Sequence, residues 1–180
     1  QLIEGPKDFS GKNYSPLADL QRALQLIFFP SAFSREEQFV LKEDDYRFLY
    51  KYLSMLPRES SYPAYPDREI YYDSYVKFFI YGDSRDAIPE NIRIFNKVGS
   101  AFGYLTDNAY IVDFDEGIEF LLSAVIYVNE NQIFNDDTYE YEGIGKPFLA
   151  RLGQVIYDYE RNRRRVVKPD LSPLLIQGDE

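Results

Sequence analysis

The spacing of apolar positions changes once along this chain, near residue 90, and the change separates a helix-forming stretch from a sheet-forming one. Before it, Leu17, Leu20, Leu24, Ile27 and Phe28 recur at the roughly 3.6-residue period that lines one face of a helix. Ser15 stands as N-cap, Pro16 in the first turn, Asp19 near the positive end of the dipole, and Pro30 closes the run. Tyr46, Leu49, Leu53 and Leu56 predict a second helix from Glu43 or Asp44 to about Leu56, stopped by Pro57. Prolines and serines among tyrosines make Glu59 to Asp67 an ordered loop or lid. Tyr71, Tyr75, Phe78 and Phe79 predict a shorter helix over Ile70 to Tyr81, ending at Gly82.

Beyond residue 90 the period falls to two. Ile92 to Val98 alternates as a strand, Tyr104 to Val112 as a second, and Ile118 to Val128 reads as a third that is apolar on both faces. Short connections between consecutive strands predict an antiparallel meander, with Asp113-Phe114-Asp115-Glu116-Gly117 as a hairpin loop. An acidic connector (Asp136, Asp137, Glu140, Glu142) leads to Pro147 and a long helix. Its apolar stripe is Phe148, Leu149, Leu152, Val155, Ile156 and Tyr159, which should pack across the sheet. The expected fold is therefore α+β: helices, then a three-stranded antiparallel sheet with a covering C-terminal helix. It forms one domain over 1–180, with a helical part at 13–90, sheet and helix at 91–165 and a tail at 166–180.

Composition narrows the chemistry. The chain has 180 residues, no histidine and no cysteine, so a Ser-His-Asp triad, an imidazole zinc site, a thiol nucleophile and a disulfide are all excluded. Acid and base work falls to Lys, Asp, Glu or Tyr. A formal net charge of −10 disfavours a nucleic-acid backbone as partner. No stretch approaches the roughly 20 apolar residues of a membrane span, and Gln1-Leu2-Ile3-Glu4-Gly5 does not read as a signal peptide. The acidic connector lacks the spaced oxygen ligands of a calcium loop and reads as a solvated turn; no cofactor or metal is expected. Arg161, Arg163, Arg164, Arg165 and Lys168 suit the negative end of the last helix, and the tyrosines between Tyr62 and Tyr81 read as packing.

One run places a charged amine as if for binding. Lys97 ends an apolar strand, Val98 and Gly99 follow, and Ser100 closes the run. A lysine beside a glycine that admits another backbone suits an anion-binding groove. Ser74-Tyr75-Val76-Lys77 matches Ser-x-x-Lys in letters, but it stands close before Lys97 and reads as an ordinary helix segment.

The strand, Lys97-Val98-Gly99, Gly103, Thr106-Asp107, the hairpin, the apolar strand and the final helix together resemble the C-terminal portion of the serine β-lactamase and penicillin-binding-protein superfamily. In particular they resemble β-lactamase-like serine hydrolases of the Bacteroidetes. The Ser15 helix is similar to the one that follows the omega loop in class A members. The resemblance runs from about Asn13 to Arg165 and covers about the last half of that catalytic domain. It implies a cell-envelope or secreted setting and acyl transfer on a β-lactam or a peptidoglycan peptide. Lys97 would dock the substrate carboxylate, Gly99 would admit its backbone, and Ser100 would restore polarity where Val98 replaces the family's Thr or Ser. The family places Ser-x-x-Lys and then Ser-x-Asn or Tyr-x-Asn before Lys-x-Gly. Here Thr106-Asp107-Asn108 and Tyr127-Val128-Asn129 follow Lys97 and read as strand residues. The implied picture is the later part of a serine hydrolase, inactive alone because its nucleophile half is absent, or else a non-catalytic envelope-binding module using the Lys97 groove. The bare Ile118 to Val128 edge would then pair with the missing half or with itself.

Overall fold

The computed structural model describes residues 8–175, so the readings of Gln1–Gly5 and of the last residues of the tail lie outside the described residues. Three strands, β1 (Ile92–Ala101), β2 (Tyr104–Asp113) and β3 (Ile118–Tyr127), form one antiparallel sheet in the order β1-β2-β3. Each pair keeps an unbroken register, from Ile92 opposite Asp113 to Ala101 opposite Tyr104, and from Tyr104 opposite Tyr127 to Asp113 opposite Ile118. This is the meander that the alternation predicts. The first hairpin turns on Phe102 and Gly103, both at positive φ (54° and 87°), the backbone hand that matches strand twist. A Cβ on Gly103 would meet the Asn129 side chain at 2.6 Å, so close approach also requires glycine there. In the second hairpin the Asp113 carboxylate accepts from the backbone N–H groups of Asp115 and Glu116, and the Asp113 carbonyl accepts from Gly117.

The helices are α1 (Leu17–Phe28), α2 (Glu43–Ser54) and α3 (Lys146–Asn162). Ser15 is not the cap of α1. Pro16 holds that position in extended conformation, and its carbonyl accepts from Asp19 and Leu20. The helix predicted over Ile70 to Tyr81 does not form; one 3-10 turn at Asp73–Val76 replaces it. Tertiary bonds win here over local periodicity. The backbone N–H groups of Phe78 and Phe79 donate to the Asp107 carboxylate, and the Val76 carbonyl accepts from Asn96. Those groups would otherwise close helical turns. Ile80 then takes φ 69°, which ends any helical path.

Each face of the sheet carries a packed cluster. On one, Ile92, Ile94, Val98, Leu105, Ala109, Ile111, Phe120, Leu122, Ala124 and Ile126 pack against Phe78, Phe79, Ile80, Ile88 and Leu149. On the other, Phe95, Tyr110, Val112 and Leu121 pack against Phe28, Phe29, Tyr50, Leu53, Leu171 and Leu174. Each fully buried aromatic or aliphatic side chain here contributes about 1.5–3 kcal/mol. α2 lies on β1, α1 on β2 and β3, and α3 on β3.

The stripe predicted for α3 is rotated away from its expected seat. The helix turns Leu149, Ala150 and Gly153 to the core and leaves Phe148, Val155 and Tyr159 exposed. Close packing explains this. A Cβ on Gly153 would lie 2.4 Å from the Ile80 backbone nitrogen, so only a face of small residues lets the helix settle there.

Candidate functional site

Alternation along β1 sends consecutive residues to opposite faces, and this decides the character of every residue in the Asn96–Ser100 run. Asn96 and Val98 face the Phe79 core. Lys97 and Gly99 face the side covered by α1 and α2. Lys97 is exposed, and its Nζ donates to the Val98 carbonyl at 2.5 Å. Among the described residues no carboxylate lies within ion-pair distance of it, in a chain with 30 Asp and Glu against 20 Lys and Arg.

Across the sheet from Lys97 stand Asn108 and then Ser123. Asn108 donates to the Leu20 carbonyl on α1 and accepts from the Ser123 hydroxyl, so both are spent on structure. Gly99 sits opposite Thr106, and a Cβ there would press on the Thr106 methyl at 3.1 Å. The Thr106 hydroxyl donates to the Ala124 carbonyl at 2.9 Å. Beyond it Ala101, Tyr104, Val125 and Tyr127 are exposed, with the two tyrosine rings 4.7 Å apart. Lys97 therefore borders a stretch of bare sheet with an aromatic floor. Ser100, on the strand's other face, is exposed.

The Ser-x-x-Lys letters do not assemble a nucleophile. Ser74 is completely buried, and its hydroxyl donates to the Ser84 carbonyl at 2.6 Å. Lys77 is only 2% exposed and turns elsewhere: its Nζ donates to the Leu53 carbonyl and to Asn96 Oδ1, each at 2.7 Å. Both groups are spent on internal bonds.

Lys77 instead heads a buried polar network that motif reading overlooks. Asn96 Nδ2 donates to Asp107 Oδ1 at 2.8 Å, and Asp107 Oδ2 accepts the Phe78 and Phe79 N–H groups at 3.0 and 3.2 Å. Burial pulls the Lys77 amine down to about 7, with the Asp107 charge opposing that shift. Burial pushes the Asp107 carboxyl up to about 6, against the bonds from Asn96, Phe79 and Phe78 that favour the anion. The pattern does carry a signal for this. Asn96 and Asp107 fall on inward positions of strands that are otherwise apolar there, between Ile94 and Val98 and between Leu105 and Ala109. A second anchor ties α3 to the sheet: Tyr157 donates to Asp113 Oδ2 at 2.6 Å and Asn91 to Oδ1 at 3.0 Å.

Among the described residues no cluster of three or more His, Cys, Asp or Glu could hold a metal, and no helix is long and apolar enough to cross a membrane. Comparison with protein-family models, with curated proteins and with solved structures finds no match to this chain.

Proposed function

We propose that this chain supplies the carboxylate-docking strand of a β-lactamase-like serine hydrolase whose nucleophile resides on another segment, and that by itself it does not perform acyl transfer. The observation that carries the reading is Lys97: an exposed ammonium without a carboxylate partner among the described residues, on an outer strand beside Gly99 and a bare stretch of sheet. A cation so placed offers a charge-assisted bond to a terminal carboxylate, and the strand offers backbone groups to an extended peptide. The resemblance of strand, hairpin and final helix to the later part of that fold supports the same assignment. The burial and internal bonding of Ser74 and Lys77 support the absence of a nucleophile from this chain.

The test is a pair of measurements. A fluorescent penicillin should leave no covalent adduct on the chain, and a peptide ending in D-alanyl-D-alanine should bind weakly, with binding abolished by Lys97→Ala. An adduct mapping to Ser74, or peptide binding indifferent to Lys97→Ala, refutes the proposal. A non-catalytic module that holds the same carboxylate is favoured by the full engagement of Ser74 and Lys77 in the core. The two readings part when the segment carrying Ser-x-x-Lys is supplied: the hydrolase part then gains turnover that Lys97→Ala removes, whereas the binding module gains none.

A further inference from the structure

The opposite edge of the sheet is built differently from β1. Among the described residues no strand pairs with the far side of β3, and the one isolated bridge, Ser61 with Ala64, lies elsewhere. Natural edges are guarded by lysine, proline, bulges or shortness. β3 has none of these: ten residues in continuous register, without Lys, Arg or Pro. Its single charge, Glu119, accepts a bond from the Tyr110 hydroxyl. From Glu119 to Tyr127 every residue is half-buried or exposed, including Phe120, Leu121, Leu122, Val125 (48%) and Ile126. On β2 every residue from Asp107 to Asp113 is buried.

α3 extends this apolar edge. At about 100° per residue, Leu149, Ala150 and Gly153 define the inward direction, and Gln154 lies to one side of it, where it donates to the Ile80 carbonyl. The apolar arc through Phe148, Leu152, Val155, Ile156 and Tyr159 lies on the other side and the outer face, turned away from Ile80. Because α3 packs on β3, that arc stands above the open edge. Phe148, Val155 and Tyr159 are 46%, 52% and 65% exposed. Gly145, at the start of α3, sits against Leu105 of β2, so the helix is set in from the edge at that end and leaves room beside it.

We propose that this surface joins two copies of the chain: β3 pairs antiparallel with β3 of a second copy about a two-fold axis normal to the sheet, and the apolar sides of the two α3 helices meet above the junction. An unpaired row of backbone N–H and C=O groups is a template for another strand, and a two-fold axis requires a patch complementary to itself. β3 meets that requirement. In antiparallel register centred on Ser123, Glu119 faces Tyr127 of its mate, on the same face of the sheet, so no like charges oppose. The same axis keeps both α3 helices on one face of the joined sheet. A strand edge about 33 Å long is a narrow contact against the roughly 800 Å² per partner of a stable interface, so the pairing also calls on the α3 arc. The paired edge lies on the strand farthest from Lys97, and its test reads association of copies and not carboxylate binding.

Light scattering on the purified chain over a wide concentration range tests this, with three variants checked for folding by circular dichroism. The wild type should approach twice the 21.2 kDa of one chain. Val125→Lys and Val155→Lys, both at exposed positions that the fold tolerates, should each weaken the dimer about tenfold or more. Phe48→Lys, equally exposed on α2 at the other side of the sheet, should leave it unchanged. A wild type that stays monomeric overturns the proposal, as it would if a strand from another polypeptide were the true occupant. A dimer indifferent to both edge variants, one dissolved by Phe48→Lys, or assemblies that keep growing with concentration overturn it too.

Discussion

Asn96 and Lys97 are neighbours on one strand, yet they belong to two regions that follow opposite rules. Asn96 faces inward and joins Lys77 to Asp107 in a network where almost every donor and acceptor is spoken for. Lys97 faces outward and, among the described residues, holds only its neighbour's carbonyl. A buried lysine fixes structure because leaving it or its partner unpaired is expensive; an exposed lysine without an acid is free to meet a ligand. The difference teaches that the same side chain marks a fold device or a binding group according to the face of the strand it serves. Each region can therefore be broken without breaking the other.

The largest effect should come from the inner region. Asp107→Ala removes the acceptor of two backbone N–H groups and of Asn96, and strips Lys77 of its nearby countercharge. A loss of about 3–5 kcal/mol of stability is expected, read by urea unfolding. Residues 76–80 should lose amide-exchange protection first. A loss below about 1 kcal/mol would mean that the network is ornamental and the comparison false.

The same network explains how far the sequence could be read. The sheet is legible because period-two alternation, a glycine-bearing turn and the acidic hairpin all indicate the same meander. The helix over Ile70 to Tyr81 is misread because its periodicity is real, while the decisive bonds come from Asp107 and Asn96, far along the chain. α3 is placed correctly but rotated, since its inward face is chosen by the fit of Gly153 against Ile80 and not by the largest apolar side chains. For the candidate site, Lys97 and Gly99 are legible as a motif. The use of Ser74 and Lys77 as core anchors depends on contacts with Ser84 and Leu53 that no local spacing encodes.

An intermediate effect should appear in the pH dependence of stability. Lys77 lies near 7 in the folded chain against an ordinary 10.5, so the unfolded chain binds more protons between those values and stability rises with pH across that window. Asp107 lies near 6 against 3.8, so the folded chain binds more protons there and stability falls as pH rises from about 4 to 6. The inner network alone therefore places a minimum of stability between about 6 and 7. Thermal melts across pH should show it. Lys77→Met should flatten the alkaline limb and Asp107→Asn the acidic one, and a profile in which Lys77→Met changes nothing above pH 7 would remove the buried amine from the account.

The smallest effect on stability should come from Lys97→Ala, and its smallness is the sharpest side of the comparison. The side chain is exposed and donates only to the adjacent carbonyl, so the change should stay within about 0.5 kcal/mol by urea unfolding. The same substitution should abolish binding of a carboxylate-ended peptide, because the charge-assisted bond is lost and the strand's other cation on that face, Arg93, is held by Glu59. Stability unmoved while binding disappears is the signature of a group held for a ligand. If Lys97→Ala instead costs as much stability as a core substitution, the ammonium is part of the fold. Its outward position on β1 would then carry no functional meaning.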